Sequence, residues 1–193
     1  MQLKALWKFP ALIAAFFLIT TSVATASTVQ QLSLEELTKA SDVVAVVDVV
    51  SVVASVENGK VFTDIELRVI ESMKGSQADA KLHIKHVGGR TKTLATYVPG
   101  MPAFRVGHKA LVFLENVTSH GHHVVTGMSQ GKFDVVVGPD GSTQYIVPAT
   151  NLPHLVRRSP DGKSPLTPTR KSSMYDEIHS LTVFKETIRR HVQ

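Results

Sequence analysis

The densest set of metal-ligand side chains in this 193-residue chain is His120, His122 and His123, within Ser-His-Gly-His-His. Imidazoles this close can hold Zn²⁺, Ni²⁺ or Cu²⁺. The segment lies between two apolar runs and contains Gly121, so it reads first as an exposed hairpin tip, with metal binding by the three histidines as the alternative. No His-Glu-x-x-His spacing adds a catalytic ion. His83 and His86 stand three apart in a strand-like run and face opposite sides of it, so they cannot share an ion without a bulge. Asp64 and Glu66 are two apart on one strand face, with side chains roughly 7 Å apart. Two carboxylates can divide acid and base roles when their environments differ, but Arg68 continues the row and makes it a solvated charge ladder. Serine is plentiful, yet no Gly-x-Ser-x-Gly elbow or Ser-x-x-Lys set surrounds one. Gly127 to Gly131 lies between strands and reads as a tight connection. Gly88-Gly89 has no helix after it to cradle a phosphate. There is no cysteine, which removes a thiol nucleophile, a Cys-ligated zinc and a disulfide framework. No catalytic residue and no cofactor is expected, and the protein reads as a non-enzyme.

The strongest functional segment is instead a loop. Residues 88–103 (GGRTKTLATYVPGMPA) hold three glycines and two prolines. Long loops on a rigid scaffold are where binding usually sits. Tyr97, Met101 and Phe104 place apolar bulk in a segment that proline stiffens, which suits a contact surface. The competing expectation is that Phe104 turns inward and plugs one end of the fold.

The elements that must carry this loop are mostly strands. Ser33 and Glu36 form a capping box before a short helix ending near Ala40. From Asp42 the chain reads DVVAVVDVVSVVASV. Valine at that density favours a strand, and its near-continuous run implies that both faces are covered for much of its length. Asn58-Gly59 supplies a hairpin turn. The return strand puts Val61, Thr63, Ile65, Leu67 and Val69 on one face, with Phe62, Asp64, Glu66, Arg68 and Ile70 on the other. In KLHIKHV the inward positions read as Leu82, Ile84 and Val87. A buried ALVFL strand, two further hairpin strands, a turn at Gly138–Gly141 and a closing TQYIV follow. Residues 148–172 contain five prolines and read as a linker or arm. Met174, Ile178, Leu181, Phe184, Ile188 and Val192 then recur at helical spacing. Ser173 is the expected cap, Asp176 and Glu177 the first turn, and Arg189, Arg190 and His191 the last. The fold expected is mainly β: a small closed or partly open barrel with a short N-terminal helix and an amphipathic C-terminal helix, a two-sheet sandwich being the alternative.

Residues 1–26 read as a signal peptide. Lys4 and Lys8 precede the apolar Ala11–Thr20, and Ala24-Thr25-Ala26 is a small-x-small cleavage site. The organisation expected is 1–26 signal peptide, 27–147 barrel domain, 148–172 Pro-rich arm and 173–193 helix. Without Lys4 and Lys8 the net charge falls from +5 to +3, weak grounds for nucleic acid as a partner. No later apolar run is long enough to span a bilayer. An exported bacterial protein, periplasmic or secreted, is expected, with another extracytoplasmic protein as its partner.

LSLEELTKASDVVAVVDVVSV, GKVFTDIELRVIESMKG, VPGMPAFRVGHKALVFL and GMSQGKF together resemble a family of small exported bacterial proteins of uncharacterised function. The resemblance covers Leu32 to Val137, its most specific part being P-G-x-P-x-F-x-V-G-x-x-x-L-V-F-L at Pro99 to Leu114. The strand order also resembles the netrin-like modules, which are OB-type barrels. In those an Ala/Ser-Asp pair opens one strand and a Lys-Gly pair ends the next, the places held here by Ser41-Asp42 and Lys74-Gly75. That resemblance implies the barrel fold and an association with a secreted protease. The N-terminal cysteine with which such inhibitors chelate zinc is absent, so that mechanism does not carry over.

Overall fold

The computed structural model describes residues 28–117, 121–149, 154–157, 167–168, 174 and 178–192. The expected signal peptide lies outside the described residues, as does His120. The first half of the chain forms β1 (Thr28–Gln30), α1 (Leu34–Ala40), β2 (Val43–Glu57), β3 (Lys60–Lys74), β4 (Lys81–Val87), β5 (Gly89–Arg90) and β6 (Ala95–Thr96). The second half forms β7 (Lys109–Val117), β8 (His122–Val125), a 3₁₀ turn (Met128–Gly131), β9 (Lys132–Val137), β10 (Gln144–Pro148), β11 (His154–Arg157), β12 (Thr167–Pro168), β13 (His179–Ser180) and α2 (Leu181–Val192).

β2 pairs antiparallel with both β3 and β7, β3 with β4, and β7 with β8. β8 then meets β4 in parallel through Ile84 and His123. The order β7-β2-β3-β4-β8 therefore returns to β7, and the sheet closes into the small OB-type barrel expected, not a sandwich. Closure leaves no edge along the closed part of the ring.

β7 divides its second edge. Leu114–Val117 pair with β8 and close the ring, while Lys109–Val112 pair with β9. β9 leads the sheet outward through β10 to β13. The 3₁₀ turn sits where the two paths part, and there the buried Gln130 holds the N-terminal segment. Its Oε1 accepts from the N–H of Leu32 at 2.9 Å, and its Nε2 donates to the carbonyls of Gln30 and Gly127.

The valine run of β2 works on both faces. Val43, Ala45, Val47 and Val49 point into the barrel against Ile65, Leu67, Val69, Leu82, Ala110, Val112 and Leu114. Val44 and Val46 point outward and join Leu37, Leu111, Phe113, Phe133, Ile146, Leu181, Phe184 and Ile188 in a second core. That core lies between the barrel wall and the two helices, and Phe133 links Phe113 and Phe184 by ring contacts at 6.1 and 5.3 Å. β3 alternates as its sequence requires, with Val61, Thr63, Ile65, Leu67 and Val69 all buried.

Two sequence expectations are corrected. Val87 is 36% exposed. The row through Leu82 and Ile84 continues at His86, because strand side chains alternate with period two. The C-terminal helix begins at Leu181, so Ile178 lies before it and is exposed. His179 and Ser180 are taken instead as a strand against Ile146 and Tyr145, a sheet-edge pairing that outweighs one more turn of helix. The residues expected as its cap and first turn, Ser173, Asp176 and Glu177, lie outside the described residues. The helix itself docks as its pattern implies. Leu181, Phe184 and Ile188 are buried, and Lys185 and Arg189 both pair with Glu71 of β3 at 2.7 Å.

The caps and turns agree with the sequence. Ser33 Oγ accepts from the N–H of Glu36, whose carboxylate accepts from the N–H of Ser33. This reciprocal cap is worth about 0.5–2 kcal/mol. Asn58 and Gly59 adopt φ of 49° and 76° in the β2–β3 turn. Within 148–172, β11 lies parallel to β1 and antiparallel to β12.

Candidate functional site

The segment from Val87 to His108 crosses one end of the barrel and is pinned at three points. At its start, the N–H of Gly88 donates to Val61 O at 2.8 Å and Thr63 Oγ1 donates to Gly88 O at 2.6 Å. A Cβ at Gly89 would stand 2.2 Å from Thr63 Oγ1, so only glycine lets the chain lie this close on β3. In the middle, the N–H of Ser129 donates to Gly100 O. At the end, Gly107 and His108 exchange backbone bonds with Val49. The short β5–β6 hairpin stiffens the first third. A loop held this way is preorganised, which lowers the ordering cost of binding.

Beneath it lies a cavity of about 510 Å³, within the range of small-ligand and side-chain sites. Val52 and Ala54 of β2, Thr63 and Ile65 of β3 and His86 of β4 supply one wall, and the loop residues supply the other. All three loop residues expected from the sequence reach it. Tyr97 stands at the mouth and is 81% exposed, Met101 is half-buried, and Phe104 is buried at 9%. Phe104 turns inward, as the competing expectation has it, joining the barrel core while also lining the cavity. The ammonium of buried Lys132 lies 5.6 Å from the centre of its ring and pairs with Asp134. A cation over an aromatic face fixes the ring as well as attracting it.

Beyond Tyr97, two titratable side chains, His86 and Arg90, also join the lining. His86 Nδ1 is buried without a hydrogen-bond partner. Burial holds its imidazole below the usual value, with nearby Asp64 acting the other way, so near neutral pH it presents an uncharged ring. Strand alternation from Leu82 and Ile84 was the signal that would have found it. Arg90 lies at the rim, exposed; a residue in a two-residue strand carries no periodicity that would mark it.

The histidine segment is arranged differently from the exposed tip expected. His122 and His123 belong to β8, opposite Val117 and Asn116, and both are half-buried. The β7–β8 turn falls before them, because the register with β7 continues to Val117. Adjacent strand residues face opposite ways, so the two rings diverge. Burial, and then His83, hold the His123 imidazole below its usual value. Among the described residues no three His, Asp or Glu side chains converge to hold an ion.

The acidic row is a charge ladder. Glu66 pairs with Lys81 at 2.9 Å and Arg68 with Asp48 at 2.8 Å. The hydrogen bond from Lys81 holds the Glu66 carboxyl below its usual range. No helix among the described residues is long and apolar enough to cross a membrane. Comparison with family models, with curated proteins and with solved structures gives no match.

Proposed function

We propose that this protein is a non-enzymatic binding module of the extracytoplasmic space, exported by its N-terminal signal, that meets another protein through the 88–105 loop and the cavity beneath it. One observation carries the reading. Tyr97, Met101 and Phe104, separated in sequence, line a single cavity whose roof is tied down at Gly88, Gly100 and Gly107. Rigid apolar and aromatic groups around a preformed concavity supply contact area at low entropic cost. The titratable groups of the lining, His86, Arg90 and Tyr97, do not include a carboxylate to pair with the imidazole, so the lining supports recognition better than acid–base chemistry.

Photocrosslinking in the cells that make the protein tests this. A benzoylphenylalanine in place of Tyr97 is expected to give a discrete protein adduct, and one in place of the exposed Val183 on α2 is expected to give none. The adduct should disappear when Met101→Asp is added. Equal adducts from both positions, or none at position 97, would remove the proposal.

A further inference from the structure

β2 is fifteen residues long, but β7 covers only its first part. The pairing with β7 runs from Val43 to Asp48, and Val49 bonds to Gly107 and His108. Val50 bulges out of register with β3, and from Ser51 to Val56 the strand is paired on its β3 side, while among the described residues no backbone group bonds to the other edge of this stretch. Alternate N–H and C=O groups point outward along this stretch. Its side chains are valine, alanine and serine, without charge or proline, and Val50, Val53 and Val56 are 45%, 58% and 48% exposed. Natural proteins usually blunt such an edge with lysine, proline or a covering loop. Here it is left open, about 23 Å of strand at 3.3 Å per residue.

The open edge adjoins the cavity, because Val52 and Ala54 are both edge residues and lining residues. We infer that Val50–Val56 accepts an extended segment of a partner polypeptide as an added strand, with one large apolar side chain of that segment seated in the cavity. The inference rests on the proposed role of the 88–105 loop and specifies its partner. A row of outward peptide groups is complementary to another polypeptide backbone, and an adjacent pocket for one side chain adds selectivity. A second copy of this chain fits less well. Its matching edge would bring only Val52 and Ala54 to the inner face, and these already line their own cavity. The rim adds a charge preference. Arg90 and Lys92, which flank Ala54–Val56, are exposed and have no ion-pair partner among the described residues, whereas Glu57 is paired with Lys85 and Asp48 with Arg68. The incoming segment therefore carries acidic residues beside its apolar anchor.

The test uses an acetylated, amidated heptapeptide with glutamate at both ends and valine and threonine around a central phenylalanine. Two further copies are N-methylated at alternate residues, one set on each edge. With the mature protein, the unmodified peptide is expected to shift the amide signals of residues 50–56. One methylated copy should bind comparably and the other at least tenfold more weakly. Ala54→Phe, which fills the cavity, and Val53→Lys, which charges the edge, should each weaken binding at least tenfold while leaving the signals of β7 and α2 in place. Equal binding by both methylated copies would leave only a side-chain pocket and overturn strand addition, as would shifts confined to residues away from 50–56. A dimer of the unliganded protein that Val53→Lys dissolves would assign the edge to a second copy and also overturn it. An adduct at position 97 without peptide binding removes strand addition alone, whereas peptide binding without that adduct removes the cellular role of the loop alone.

Discussion

At the scale of single residues, two dipeptides far apart in sequence meet. Lys74 Nζ donates to Thr38 O at 2.8 Å and to Ser41 O at 2.6 Å, so the last carbonyls of α1 are satisfied by a cation where the helix dipole favours one. The next residue, Gly75, has φ of +65°, and a Cβ there would stand 1.9 Å from Asp42 O. Ser41-Asp42 and Lys74-Gly75 thus form one joint between α1, β2 and the end of β3. Gly75→Ala should cost on the order of 3 kcal/mol, from strain and a backbone clash together. Gly107 makes the control, since its φ is +80° but its Cβ would meet nothing within 4 Å. Gly107→Ala should cost about 1 kcal/mol. Urea denaturation of the two variants checks the difference, and equal losses would show that the close approach at Asp42 has no energetic weight.

At the scale of elements, α2 holds the outer core through one face. Phe184 contacts the ring of Phe133 at 5.3 Å and is 5% exposed, while Val183 on the next position is 60% exposed. Phe184→Ala should cost about 3–5 kcal/mol and Val183→Ala within about 0.5 kcal/mol; thermal or urea unfolding measures both. These elements also show what a sequence can and cannot disclose. The capping box of α1, the Asn58-Gly59 turn and the alternation of β3 were legible because each is a local rule with a period or a fixed offset. The two-faced burial of β2 was legible from its valine run for Val43–Val49, but the same run continues into a half where Val50, Val53 and Val56 are exposed. The start of α2 was not, because the competitor for His179 and Ser180 is the edge of β10, over thirty residues earlier. Tyr97, Met101 and Phe104 stood out as apolar bulk in a proline-stiffened loop. His86, Arg90 and the open edge of β2 did not, since their significance depends on where β7 stops pairing and what the loop covers.

At the scale of the whole molecule, the buried imidazoles couple stability to pH. His86 and His123 are both held below the ordinary value of 6.5, in each case chiefly by burial. Each therefore binds a proton more readily in the unfolded chain, so stability is full above pH 6.5 and declines as pH falls through that value toward the lower folded ones. Asp140 acts in the same direction further down. Bonds from Thr143 and Ser142 hold it at about 2 against an ordinary 3.8, so its contribution fades only at stronger acidity. The urea midpoint should drop between pH 7.5 and 5, and His86→Gln should flatten the drop; an unchanged slope in that variant would place the effect elsewhere. The divided edge of β7 bears on the order in which such a molecule can be completed. A nascent chain that ends near Val117 holds the β2–β3–β4 meander and β7, yet it has neither the strand that shuts the ring nor the layer that covers Val44, Val46 and Phe113. Its valine-rich wall is exposed on both sides, the condition in which partly made β proteins associate wrongly. Residues 122–125 shut the ring and 132–137 begin the outer layer, but that layer is filled only when Ile146 and then Leu181, Phe184 and Ile188 of α2 arrive. Completion therefore falls in two stages, closure of the ring by β8 and sealing of its outer wall by the last helix of the chain.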